Sequence, residues 1–256
     1  MRFHLREAWR RRRGAAPEDG PPVEPLESLA PADREIVERV WPFTMTSVER
    51  LAALIDGVRY CVRRNVPGAI VECGVWLGGS VLAGLLTLQE LGADDRQVYL
   101  YDTFQGMTRP TEHDVSRYDP PALEGWNEKS GRMANAWWAG YFDPDVLNLD
   151  AVREVVLSSG YEERLLHFVQ GPVEETLPKT APDRLALLRL DTDWYESTRH
   201  ELVHLYPRLV DGGVLIVDDY GHWEGCRRAV DEYFAAEADP ILLSRVDYTA
   251  RIAIKH

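Results

Sequence analysis

The chain has 256 residues, 45% of them hydrophobic, and a formal net charge of −13. That is enough apolar material for one large domain with appendages. The acidic balance argues against general binding to nucleic acid or an anionic membrane, which need basic surfaces; a phosphorylated small substrate, needing only a local cation, stays open. Cys61, Cys73 and Cys226 are odd in number and lie outside any CxxC spacing. This speaks against a disulfide framework or zinc site and for a reducing, cytoplasmic setting. No stretch approaches the length of a membrane span, and the basic N-terminus MRFHLREAWRRRRG lacks the apolar core of a secretory signal.

In chain order, residues 1–30 read as a mobile arm. RRRRGAAPEDGPPVEPLESLAP mixes an arginine run with Pro, Gly and acids and cannot bury enough surface to offset ordering entropy. Residues 31–68 form a helical extension, with PADREIVERV a short helix and TSVERLAALIDGVRYCVRRN a longer one, capped at Thr46 or Ser47 and stopped at Pro67 and Gly68. From residue 69 to 256 the rhythm changes to short apolar runs alternating with helices. AIVEC, QVYLYD, LLHFVQG, LALLRLD and GVLIVDD read as strands, and ILLSRVD and TARIAIKH as a closing antiparallel pair. The helices are SVLAGLLTLQEL, LDAVREVVLSSG, ESTRHELVHLYPRL and EGCRRAVDEYFAAE. The pattern predicts an α/β fold with a doubly wound, mostly parallel seven-stranded sheet covered on both faces. Residues 105–148 interrupt it. A segment this long without elements reads as a lid, and it carries Trp126, Trp137, Trp138, Tyr141 and Phe142. These rings are suited to stacking on a sugar, and equally to packing the lid down or filling a subunit contact.

Three constellations carry chemistry. In VECGVWLGGS, a buried strand ends at Glu72 and a turn containing Gly74, Gly78 and Gly79 opens a helix. Glycines allow close backbone approach to a ligand, and a helix N-terminus offers free N–H donors. The spacing G-x-x-x-G-G differs from the dinucleotide G-x-G-x-x-G and points to another nucleoside-bearing ligand. The second strand ends at Asp102, where an acid can accept from two ribose hydroxyls or cap the following turn. The fourth and fifth strands end at Asp191 and at Asp218 and Asp219. If these strands are neighbours, the three carboxylates converge at the carboxyl edge of the sheet, where they repel one another unless a cation sits among them. Hard oxygen donors suit Mg²⁺. Asp193 reads as a supporting residue or a helix cap.

VECGVWLGGS, YDTFQGM, GPVEETLP, LLRLDTDWYEST and LIVDDY together resemble the macrocin O-methyltransferase (TylF-type) family over roughly residues 40–237. That resemblance implies a class I S-adenosylmethionine (SAM) methyltransferase that uses a divalent metal to methylate deoxysugar hydroxyls in natural-product biosynthesis. It implies cofactor contacts from Glu72, Gly74, Trp76, Gly78, Gly79 and Ser80 in the first loop, from Asp102 to the ribose, and from Gly171 and Pro172 near the adenine. Pro172 stands where relatives can carry an aromatic residue. Thr44 and Met45 belong to FTM, which resembles an HTM segment that touches the cofactor in relatives, with Phe43 in place of His. Asp191, Asp218 and Asp219 match the metal ligands. The resemblance implies a rhamnose-like 6-deoxyhexose as acceptor, free, nucleotide-linked or already on an aglycone, and assembly through the N-terminal helices, so a homodimer or larger assembly is expected.

Methyl transfer to a sugar oxygen needs in-line positioning, an acidified hydroxyl and a base. Asp191 is the first candidate base, His222 the second and His113 in the lid the third. Two rival readings are a metal-dependent glycosyltransferase using DTD at 191–193, and a non-catalytic SAM-binding scaffold. Arg109, Arg117 and Arg132 in the lid are candidates for meeting a diphosphate.

Overall fold

The computed structural model describes residues 23–127, 131–133, 146–236 and 240–256. Helix α1 (Val23–Glu27) leads to α2 (Pro31–Val40), a short 3-10 turn and α3 (Val48–Arg63). The chain is thus already helical eight residues before the expected onset at Pro31: Leu26 and Leu29 have an apolar cluster to pack on, centred on Val37, Val40, Leu51 and Ile55. Arg10 to Arg13 lie outside the described residues. Helix α3 starts as its sequence predicts. The Ser47 hydroxyl accepts from the Arg50 amide at 3.3 Å, and also donates to Asp247 at 3.2 Å. Ser47→Ala is expected to cost about 1 kcal/mol, read as a lower Tm.

The main sheet contains β1 (Ala69–Cys73), β2 (Val98–Asp102), β5 (Leu166–Gln170), β6 (Leu185–Leu190), β7 (Leu209–Val217), β8 (Ser244–Arg245) and β9 (Arg251–Ile254). Its order is β5-β2-β1-β6-β7-β9-β8. The first five strands run parallel, and β9 pairs antiparallel with both β7 and β8. This is the predicted seven-stranded sheet. Helices α4 (Gly79–Glu90), α6 (Leu149–Leu157), α8 (Tyr195–Leu205) and α9 (Glu224–Ala236) follow the predicted pattern. Strands β1 and β6 are buried along their whole length, as parallel strands covered on both faces must be. The sequence reading overshot at ILLSRVD, of which only Ser244 and Arg245 pair as strand; Leu242 before them is 77% exposed and has no neighbouring strand to join.

The 105–148 segment is less empty than expected. It holds the short helix α5 (Ala122–Gly125) and a ribbon of β3 (Trp126–Asn127) with β4 (Arg132–Met133). Trp126 packs against the main core, whereas Trp137, Trp138, Tyr141 and Phe142 lie outside the described residues. Asp114 pins the front of the segment. It accepts from the Thr111 amide at 2.6 Å and from the Tyr195 amide, at the start of α8, at 2.8 Å. A Cβ on Gly225 in α9 would stand 2.1 Å from the same carboxylate. Residues 111–121 are therefore a fixed wall against α8 and α9.

Candidate active site

Strand order reverses between β1 and β6, because the chain builds outward through β2 and β5 before returning. Ligands of such sheets bind at the carboxyl ends flanking that reversal. A cavity of about 520 Å³ opens there. Thr44, Met45, Gly74, Trp76, Ser80, Asp102, Gly171 and Pro172 line it, together with Asp191, Asp218, Asp219 and His222. The N-terminal extension thus supplies one wall, through residues 43–46 and Arg50.

Three residues of the expected cofactor set stand back from the cavity for steric reasons. Gly78 caps α4 with φ of 84°, and a Cβ there would meet Val156 of α6 at 2.9 Å. A Cβ on Gly79 would meet the Phe43 carbonyl oxygen at 2.4 Å, so this glycine lets the extension lie against the helix start. Glu72 is 3% exposed and bonds the Ser80 hydroxyl instead of facing the cavity. Asp102 does line the cavity, but its carboxylate also staples the loop: it accepts from Val75 N at 2.7 Å, Trp76 N at 3.1 Å and Phe104 N at 2.7 Å. Most of a carboxylate's acceptor capacity is used by these bonds.

The acid cluster forms because ladder bonds continue past the strand ends. Asp191 N donates to Cys73 O at 2.8 Å, and Asp218 N to Leu190 O at 2.9 Å. Oxygens of Asp191, Asp218 and Asp219 all lie within 4.8 Å of one another. Two arginines that the sequence reading passed over stand behind them. Arg189, the penultimate residue of β6, reaches Asp191 at 2.7 Å, Asp218 at 2.6 Å and Glu72 at 2.8 Å. Arg50 of α3 bonds the other oxygen of Asp218 and reaches Asp247 at 3.1 Å. Burial opposes the charge on Asp218, but Arg189 and Arg50 outweigh it and hold the carboxyl below the usual range. Asp219 is pushed well above that range, by burial first and then by Asp193, Asp191 and Asp218. Its Oδ2 is buried without a hydrogen-bond partner among the described residues. Asp191 rises for the same reasons despite Arg189. An unpartnered buried oxygen facing two further carboxylates, in a hard-donor set, fits a divalent cation.

Asp193 takes a left-handed backbone, φ 68°, and accepts from the Trp223 indole at 2.9 Å. Burial, above the carboxylates of Asp218 and Asp114, pushes it up to about 7. Its folded form therefore keeps a proton that the unfolded chain has already lost, and stability falls as pH rises from about 4 through about 7. Asparagine tolerates the same φ and still accepts from Trp223. Asp193→Asn is expected to match the parent below about pH 4, to melt progressively higher than it as pH rises from about 4 to about 7, and to keep a constant advantage above that, read from paired thermal melts.

His222 is neither a plain surface histidine nor an open base. Its Nε2 pairs with Asp119 at 2.9 Å and its Nδ1 with the Tyr248 hydroxyl at 3.0 Å. Tyr118 stacks on the ring with centroids 5.3 Å apart. Both ring nitrogens thus face protein, and His222 clamps the lid wall. His113, the third candidate base, meets Arg228 at 3.2 Å and does not line the cavity.

Residues 32–253 match the macrocin-O-methyltransferase (TylF) family. The chain belongs to that family. It is a SAM-dependent O-methyltransferase, and the glycosyltransferase reading of DTD is set aside. The chain is 35% identical over 229 residues to the 8-demethyl-8-(2,3-dimethoxy-alpha-L-rhamnosyl)-tetracenomycin-C 4'-O-methyltransferase of Streptomyces olivaceus, covering 85% of this chain and 78% of the relative. It is 33% identical to the mycinamicin III 3''-O-methyltransferase of Micromonospora griseorubida, over 74% and 69% of the two chains. The O-methyltransferase NovP superposes with a TM-score of 0.69 at 31% identity, over 83% of this chain and 82% of that one. Calicheamicin methyltransferase CalS11, at 19% identity, shares the fold with a TM-score of 0.60, over 94% and 99%. No helix among the described residues is long and apolar enough to cross a membrane.

Proposed function

We propose that this enzyme methylates a hydroxyl of a rhamnose-like deoxysugar in natural-product biosynthesis, using SAM and a divalent cation, Mg²⁺ for preference. The observation that carries the reading is the convergence of Asp191, Asp218 and Asp219 on the cavity that the glycine loop also lines. Relatives whose names specify a rhamnosyl tetracenomycin and mycinamicin III support a sugar acceptor.

When bound, SAM supplies an electrophilic methyl and the cation lowers the pKa of a hydroxyl beside it. The chain's own residues do the rest. Thr44, Met45, Gly74, Trp76, Ser80, Gly171 and Pro172 would line the cofactor half, with Asp102 holding the loop and standing where it would meet the ribose. Asp191, Asp218 and Asp219 would hold the cation. Asp191, with a quarter of its side chain open to the cavity, takes the acceptor's proton. His222 acts through the wall it clamps.

The lining also bears on the acceptor's charge. Asp102, Asp119, Glu174, Asp191, Asp193, Asp218 and Asp219 face the cavity, against Arg50 and His222. Arg50 is committed to Asp218 and Asp247. Arg109, Arg117 and Arg132 do not line the cavity. Among the described lining residues a diphosphate finds no uncommitted Lys or Arg, which favours an uncharged glycoside over a nucleotide sugar.

Incubation with SAM, Mg²⁺ and a panel of deoxysugar glycosides and nucleotide sugars tests the reading. A mass gain of one methyl on a glycoside, abolished by a chelator, is the expected outcome. Methylation that is indifferent to chelation would remove the metal role, and methylation of nucleotide sugars alone would reverse the acceptor assignment. Assembly as a homodimer or larger is part of the proposal, and light scattering reads it directly.

A further inference from the structure

Arg189 is the anomaly of LALLRL. It sits one residue from the end of β6, between Leu188 and Leu190, with a side chain only 2% exposed. A charge is kept there only if it is paired and hydrogen-bonded. The pairing follows from register. Arg189 lies opposite Glu72 across the parallel β1–β6 ladder, so the two side chains leave the sheet on one face. One guanidinium nitrogen bonds Glu72 at 2.8 Å and Asp191 at 2.7 Å. The other bonds Asp218 at 2.6 Å and the Thr46 hydroxyl at 3.2 Å. Glu72 in turn accepts from Ser80, which lines the cavity in the first turn of α4. Neither Arg189 nor Glu72 lines the cavity itself.

We propose that Arg189 is a positioning residue that ties the cofactor loop to the metal-ligand carboxylates and sets divalent-cation affinity from behind the cavity wall. The inference rests on the cation reading of Asp191, Asp218 and Asp219. A planar fork holding one oxygen of Asp191 and one of Asp218 fixes both carboxylates, so their remaining oxygens meet a cation already oriented. Its single positive charge is divided among three acids. Part of that charge is spent on Glu72 and does not compete with the cation. The chain Ser80–Glu72–Arg189–Asp191 is continuous, so the cofactor helix and the metal ligands share one buried scaffold.

The division of charge makes a specific forecast. Glu72→Gln keeps the size of the side chain and an oxygen for the Ser80 hydroxyl, but removes the charge. Arg189 then spends its whole charge on Asp191 and Asp218 and competes harder with the cation. Arg189→Lys keeps the charge and loses the fork, so the carboxylates lose their orientation. Both variants should bind Mg²⁺ about tenfold more weakly, the lower end of what support residues around metal ligands contribute. The measurement is calorimetric titration of Mg²⁺ into the full chain, with thermal melts confirming that each variant is folded. If Arg189→Lys does not fold, Glu72→Gln decides alone, since a purely structural role for Glu72 predicts no change in the Mg²⁺ isotherm. Wild-type binding with both variants within twofold of it overturns the proposal and leaves the cation reading standing. Absence of Mg²⁺ binding by the wild type overturns the cation reading and the proposal with it.

Discussion

On the proposed mechanism, Asp191→Asn is expected to cut methyl transfer by about three orders of magnitude, combining the loss of the proposed base and of a proposed cation ligand. SAM affinity should stay within about threefold, because a lost reaction-step interaction leaves ground-state cofactor binding alone. The asymmetry follows from placement. Asp191 lies at the end of β6 among the acids, whereas the cofactor loop begins at the end of β1. Asparagine still accepts from Arg189, so the 2.7 Å contact has a neutral replacement and the fold survives. The experiment pairs single-turnover kinetics with a SAM titration. Turnover within tenfold of the wild type would remove Asp191 from the chemistry, and a parallel collapse of SAM affinity would show that the two halves of the cavity cannot be perturbed separately.

Gly74→Ala should be the most damaging small substitution in the cofactor loop. Gly74 has φ of 81°, and a Cβ there would stand 1.9 Å from the Asp191 carbonyl oxygen, which is backbone and cannot rotate away. Overpacking and a left-handed alanine together cost about 3 kcal/mol, a drop in Tm of about 10 °C for a chain of this size. The consequence reaches beyond stability. The backbone that must move carries Asp191, so cofactor and cation binding should weaken together, unlike in Asp191→Asn. Melting curves and both titrations on this one variant test it; a variant that melts as the parent does would show that the turn absorbs the added methyl without strain.

What was legible in the sequence depended on whether the signal was local. Strand β6 reads from six consecutive residues, because burial on both faces demands an apolar run, and the acids that end β6 and β7 converge because parallel neighbours end at the same edge. Helix α3 announces itself with Ser47. Arg189 was hidden in that same apolar run: it makes sense only opposite Glu72, 117 positions away. A charged residue inside a fully buried strand is the available signal, since it must have a partner. His222 reads from the sequence as the second candidate base and lines the cavity, yet its contacts depend on Asp119, 103 positions earlier, and Tyr248, 26 later. No periodicity reports such contacts. The glycine motif gave the turn, but steric fit decided that Gly78 and Gly79 serve helix and extension packing.

The helical extension of residues 31–68 and the sheet that follows it line one cavity. Phe43 presses its carbonyl into the space that Gly79 leaves, Thr46 bonds the buried Arg189, and Arg50 holds Asp218. The first helices are therefore active-site tissue. Exchanging them between two members of the family would transplant part of the cavity wall along with the surface, and a chain trimmed back to its sheet would lose the Arg50 counter-ion of Asp218.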